Sequence, residues 1–392
     1  MAPTEPPPVL CIENALVVDP VAGEARVRTL HVRDGRFAAA AADPAGPCRT
    51  IDARGLVAAP GFVDLHVHLR EQVARAAAAG WAEVLPSACL TTGRRGERVA
   101  DLEALAAAGA ACFTDDGATV TSDAVMREAM SRARRLGRVV MDHAQDHAAE
   151  ERGVMHEGAF SRRWGLPGIP SAAEARVIAR DLALARETGC RLHVQHVTSA
   201  EGVALLARAR SEGVAATAEV TPHHLALCDA DVRPDDANFK MNPPLRSADD
   251  RRALLDAVCG GTIAALATDH APHAAAAKAA GFLRAPFGVL GMETAIGATY
   301  TTLVRGRGLD LVRWVRLWTT GPAAALGLEA PSLAPGARAD LVLMDLETPW
   351  TVDVAAFRSR SRNCPFDGWV LHGRAVATVF RGRLVHDALA RA

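Results

Sequence analysis

The sequence predicts an α/β protein: a distorted TIM-like (β/α) barrel with a small β-sandwich module assembled from both ends of the chain. Three observations carry this. Between residues 60 and 330, short apolar runs alternate with amphipathic helical stretches, the pattern of β/α units around a parallel sheet. Both ends instead alternate short β-branched runs with turn signals, as small antiparallel strands do. The apolar runs of the middle region also stop at histidine or aspartate again and again, and in such barrels reactive groups stand at the carboxyl ends of strands.

Taken in order, residues 1–59 form the first part of the module, with strand-like runs at Val9-Leu10-Cys11-Ile12, Ala15-Leu16-Val17-Val18 and Thr29-Leu30-His31-Val32 and a turn at Asp34-Gly35. Residues 60–330 form the barrel. Its first strand, Gly61-Phe62-Val63-Asp64-Leu65-His66-Val67-His68, places two imidazoles at i and i+2, so both point to the same side while Val67 points to the other. A strand is next expected at Glu83-Val84-Leu85-Pro86. Later runs end in Asp115-Asp116-Gly117, Asp142-His143-Ala144, His196-Val197-Thr198 and Asp269-His270-Ala271, and Ser171 to Glu187 reads as an amphipathic helix. Residues 331–392 return to the module, with strands at Ala339 to Met344 and Ala375 to Phe380.

With 392 residues, 49% of them hydrophobic, the chain has ample material for one large core and a smaller one. A net charge of −1 removes the electrostatic argument for a nucleic-acid or anionic-membrane partner, which leaves a small-molecule substrate as the expectation. The basic residues are almost all arginine, Lys240 and Lys278 being the only lysines. Eight scattered cysteines without a C-x-x-C pair read as reduced, mostly buried small side chains. No stretch has the layout of a leader peptide or the length of a membrane span, so the cytoplasm is the expected location.

Buried imidazoles need a hydrogen-bonding partner or a metal. Five strand ends together supply His66, His68, an aspartate at Asp115-Asp116, His143, His196 and Asp269. Neutral imidazole nitrogen and carboxylate oxygen suit zinc, with manganese or cobalt fitting the same set, and six ligands are enough for two metals. His223, His224 and His270 read as local hydrogen-bonding groups. His147, His156, His193, His372 and His386 read as structural.

The chain resembles the class I dihydroorotases of the amidohydrolase superfamily. The resemblance rests on Asp64-Leu-His-Val-His-Leu-Arg-Glu71, Phe113-Thr-Asp-Asp-Gly117, Ile169-Pro-Ser171, Glu219-Val-Thr-Pro-His-His224, Asn238-Phe-Lys-Met-Asn-Pro-Pro-Leu-Arg246, Ala267-Thr-Asp-His-Ala-Pro-His273 and Arg284-Ala-Pro-Phe-Gly288. It implies that His66 and His68 hold a first metal with Asp269, that His143 and His196 hold a second, and that Asp116 bridges them, with zinc as the metal and two ions per chain. It further implies that Asp269 shuttles the proton and that Arg70, Asn242 and His273 grip the substrate carboxylate. The implied reaction is reversible hydrolysis of dihydroorotate to N-carbamoyl-L-aspartate in pyrimidine synthesis, by a metal-activated water. Hydantoinases and allantoinases bridge their metals with a carboxylated lysine; no lysine lies near Asp115-Asp116, which argues against a hydantoinase-type activity.

One departure stands out. After Glu71 the family continues through a loop, a helix and a second strand, and here about forty residues, a little more than one β/α unit, are absent. Removing an interior strand leaves two edges to be re-paired. The expectation is a seven-stranded or gapped barrel, or a chain stabilised by a partner. That partner would be a second copy or aspartate transcarbamoylase, for which a catalytically silent dihydroorotase-like chain could serve as scaffold.

Overall fold

The computed structural model describes residues 9–39, 48–68, 73–150 and 152–389. Arg70 lies outside the described residues. Among those described, no helix is long and apolar enough to cross a membrane.

Both ends of the chain meet in one mixed eight-stranded sheet. Its N-terminal strands are β1 (Val9–Asp19), β2 (Glu24–Arg33), β3 (Arg36–Ala38), β4 (Cys48–Asp52) and β5 (Val57–Pro60). The two runs read separately at 9–12 and 15–18 are one strand, β1, with its register shifted between Ile12 and Ala15. That shift lets one edge of β1 pair first with β4 and then with β5. Alternate side chains then serve two cores: Leu10, Ile12 and Val17 pack inside the module, while Val18 joins the barrel core.

The barrel strands are β6 (Ser87–Ala88), β7 (Cys112–Phe113), β8 (Val139–Asp142), β11 (Leu192–Val194), β12 (Ala216–Val220) and β13 (Ala265–Leu266), with a separate small parallel pair, β9 (Met155–His156) and β10 (Gly168–Ile169), between β8 and β11. The six run parallel in the order β6-β7-β8-β11-β12-β13. The helix Ser171–Thr188 covers the sheet with Val177, Ile178 and Leu182 buried. It starts after Pro170 and stops at Gly189, whose φ of 66° ends the helix in the left-handed conformation.

The first barrel segment, 61–68, joins the far side of β13 through a parallel bridge between Val67 and His270 and a His68 N–H to His270 carbonyl bond of 3.0 Å. Phe62 anchors its start, stacked on Trp318 and edge-on to Trp314. Among the described residues no pairing joins this segment to β6. The sheet is therefore open there, a gapped barrel at the place where the β/α unit is missing. The strand expected at Glu83–Pro86 forms instead at Ser87–Ala88, because Pro86 has no N–H to give to a ladder; its carbonyl still accepts from Ala111 N at 2.9 Å.

The chain ends in β14 (Leu341–Thr351), β15 (Val370–Phe380) and β16 (Arg383–Asp387). Pairing of β14 with β5, Leu341 opposite Pro60 through Met344 opposite Val57, closes the module onto the barrel. The expected sandwich is thus one hydrogen-bonded sheet, with β4 branching from β1, around a single apolar cluster.

Candidate metal centre

The carboxylate of Asp116, just past β7, sits among four imidazoles. Its Oδ2 lies 3.4 Å from His66 Nε2 and 3.4 Å from His68 Nε2, and its Oδ1 lies 3.5 Å from His143 Nδ1 and 3.8 Å from His196 Nε2. Asp269, past β13, places Oδ1 3.0 Å from His68 Nε2 and 3.5 Å from His66 Nε2. All six residues singled out as ligands therefore meet in one place. Asp115 does not join them; it turns away to accept from the backbone N–H of Thr91 at 3.1 Å and from its hydroxyl.

Backbone strain accompanies this convergence. His196 and Asp269 both adopt left-handed φ values, 28° and 47°, a conformation that costs a non-glycine residue energy and persists only where surroundings enforce it. Both strands turn sharply at these residues, aiming their side chains at the centre.

The electrostatics are those of a buried, mutually supporting cluster. Burial by itself would raise the Asp116 carboxyl, but the charge on His66 and hydrogen bonds from His143, His196 and His66 hold it well below the usual carboxylate range. Burial would lower His66, yet Asp116 and Asp269 lift it well above an ordinary histidine. Asp269 is likewise pulled down, against its burial, by His66, His68 and His196. Burial dominates at His196, whose pKa falls.

Two groups near the cluster carry roles the motifs did not single out. Glu219 on β12 accepts from His66 Nδ1 at 2.9 Å and meets His193 Nε2 at 3.1 Å. His193 continues to Thr217 Oγ1 at 2.7 Å. A carboxylate behind an imidazole fixes the tautomer and directs the other nitrogen forward, here His66 Nε2 toward both aspartates. Gln195 adds a contact of 3.2 Å to the same His66 Nδ1. Glu219 stood inside a recognised motif and both it and His193 alternate inward along their strands; the signal was present, but pairing of β11 with β12 brings them together.

The donor set fits a divalent cation. His143 Nδ1 and His196 Nε2 face each other at 2.9 Å, and His196 Nδ1 is buried without a hydrogen-bond partner. Ligand atoms of His66, His68 and Asp269, and separately of His66, Asp116 and His196, lie within 4.8 Å of one another. Nitrogen and oxygen donors in this number suit zinc or a similar metal.

Of the residues expected to touch substrate, Asn242 stands beside the cluster. Its Nδ2 lies 2.8 Å from Gln145 Oε1 and 3.3 Å from His143 Nε2. His273 lies on the loop beyond β13 with Nε2 2.7 Å from the Phe287 carbonyl, which commits that nitrogen to the neighbouring loop. His224 holds local bonds to Thr221 Oγ1 and the Pro243 carbonyl, while buried His223 Nε2 has no partner.

Comparison with known proteins agrees with this geometry. Residues 73–202 match the family model described as dihydro-orotase-like. The dihydroorotase of Solibacter usitatus is 40% identical over 418 aligned positions, covering 96% of this chain and 97% of that protein. The dihydroorotase of an Anaeromyxobacter species is 42% identical, covering 97% and 98%. Among solved structures, the L-hydantoinase (dihydropyrimidinase) of Arthrobacter aurescens superposes with a TM-score of 0.81 at 26% identity, covering 97% of this chain and 96% of that one. The dihydropyrimidinase of Brevibacillus agri shares the fold, with a TM-score of 0.78 at 22% identity and coverage of 97% and 95%.

Proposed function

The chain belongs to the dihydroorotase family, and from that membership we propose that it is a metal-dependent cyclic amidohydrolase interconverting dihydroorotate and N-carbamoyl-L-aspartate in cytoplasmic pyrimidine synthesis. One observation carries the proposal: His66, His68, Asp116, His143, His196 and Asp269 converge from five strand ends on a single centre, buried except on the His68 side.

His66, His68 and Asp269 would hold one zinc ion, His143 and His196 a second, with Asp116 between them. Bound there, the metal supplies Lewis acidity, making water a nucleophile near neutral pH and polarising the amide carbonyl. The remaining work falls to the protein. Asp269 is the proton carrier. No hydrogen bond among the described residues reaches its Oδ2, while Oδ1 faces His66 and His68, so Oδ2 is the oxygen that takes the proton of the attacking water and returns it to the departing ring nitrogen. Its lowered pKa keeps it ionised at neutral pH, the state a base requires. Asn242, Arg70 and His273 would receive the substrate's free carboxylate, the arginine through its two-pronged fork.

The open edge at β6 favours a second reading, a slow or silent chain that serves aspartate transcarbamoylase as a partner. Metal content and dihydroorotate hydrolysis, measured on the purified protein alone and mixed with aspartate transcarbamoylase, separate the two. Turnover by the isolated chain with two metals bound supports the enzyme. Bound metal without turnover in either mixture overturns it.

A further inference from the structure

Lysine occurs at only two positions in this chain, where arginine is otherwise the basic residue. Both lysines are buried, Lys240 at 3% and Lys278 at 7% exposure, and both end on backbone carbonyls rather than carboxylates. Lys278 Nζ donates to three of them: Ala237 at 2.9 Å, Pro286 at 3.0 Å and Lys240 at 3.1 Å. Lys240 Nζ donates to the Leu283 carbonyl at 3.1 Å and lies 4.6 Å from the centre of the Phe287 ring. The Lys240 carbonyl also accepts from Gly288 N at 3.0 Å.

These bonds join two loops, one leading into Asn242 and the other touching His273, both expected substrate contacts. Residues 237–241 lead directly into Asn242, beside His143. Residues 283–288 hold His273 through the Phe287 carbonyl. A buried charge is costly unless its donors are met; burial and the nearby Lys240 charge pull the Lys278 pKa down to about 7. Three carbonyl acceptors require three N–H groups, which only the ammonium form provides. A compact ammonium directs its donors as a tripod, whereas the flat guanidinium of arginine cannot converge on three carbonyls about one point. That geometric demand suits lysine rather than arginine at position 278.

We propose that Lys278, assisted by Lys240, is a positioning residue for substrate: its ammonium gathers carbonyls from the 237–241 and 283–288 loops and so sets where Asn242 and His273 stand. This deepens the dihydroorotase reading and rests on it for its kinetic test.

The test compares Lys278→Met, Lys278→Arg and Lys278→Ala with wild type, with exposed Arg208→Lys as control. Both Lys278→Met and Lys278→Arg should raise KM for dihydroorotate by on the order of tenfold or more, as misplacement of binding groups does, with kcat and bound metal close to wild type. Methylammonium, but not tetramethylammonium, should restore KM in Lys278→Ala. A wild-type KM in Lys278→Met, or full function in Lys278→Arg, overturns the proposal. Should the Lys278 variants fail to fold, Lys240→Met should raise KM about threefold, the value of one hydrogen bond, and an unchanged KM there overturns it equally. If wild type itself turns over no dihydroorotate, the functional reading fails separately. Hydrogen exchange at 237–246 and 283–290 then decides: faster in Lys278→Met than in wild type supports the tripod, and identical rates refute it.

Discussion

His66 is held at both ends of its ring, Nδ1 by Glu219 and Nε2 facing Asp116 and Asp269. Replacing Glu219 by Gln keeps the shape and removes the charge behind the imidazole. Metal affinity should fall about 10- to 100-fold, read by competition with a chromogenic chelator. The same residue gives a pH signature. Against its burial, hydrogen bonds and charge from His193 and His66 hold Glu219 at about 2 in the folded chain, below its ordinary 4.5. The folded state thus binds fewer protons between those values, and its stabilisation is full above about 4.5 and lost as pH falls toward 2. Urea unfolding of the metal-free protein should show wild type and Glu219→Gln drawing together in stability across that window. At Asp269 the expectation is kinetic: Asp269→Asn should cut kcat by roughly 10²- to 10⁴-fold, the range for loss of a general acid–base group, measured by steady-state hydrolysis.

At the scale of elements, the metal centre depends on where the 61–68 segment lies, and that segment has little regular ladder to hold it. Its position is set by Phe62 against Trp314 and Trp318, and by Asp64. The Asp64 carboxylate accepts from Thr268 N at 2.9 Å and Thr268 Oγ1 at 2.6 Å, and so ties the segment to the end of β13 immediately before Asp269. Thr268→Val deletes one of those bonds at almost constant volume and strands a carboxylate oxygen. A loss of about 1–3 kcal/mol follows, measurable by denaturant titration, and turnover should drop with it because His66 and Asp269 share that junction. The short strands of the barrel were legible in outline from their apolar runs. Their true extents were not, since Ala265–Leu266 is all that pairs regularly in the run 262–268. The ladders give way to left-handed turns at His196 and Asp269, and no local pattern announces those turns.

For the whole molecule, six proposed ligands drawn from residues 66 to 269 would make a bound metal a cross-link among five strand ends of an incompletely closed sheet. Anything that binds only the folded state stabilises it by mass action. Exhaustive chelation should therefore lower Tm as well as abolish hydrolysis, and zinc should restore both; the melting curve with and without chelator is the check. An unchanged Tm would mean that the gapped barrel stands without help from its ligands.

Residue identity and spacing supplied the donor types, through the His-x-His pair and the aspartates past their apolar runs, and alternation along strands set which side chains share a face; the reaction and the bridge came from the resemblance to dihydroorotases. The missing β/α unit was legible only against the dihydroorotase pattern, which continues differently after Glu71. Tertiary structure alone decided that Glu219 and His193 stand behind His66, and that two lysines join the 237–241 loop, which leads into Asn242, to the 283–288 loop, whose Phe287 carbonyl meets His273. Each of these depends on atoms distant along the chain coming within hydrogen-bond reach, and strand register and loop packing, which no local pattern encodes, set those distances.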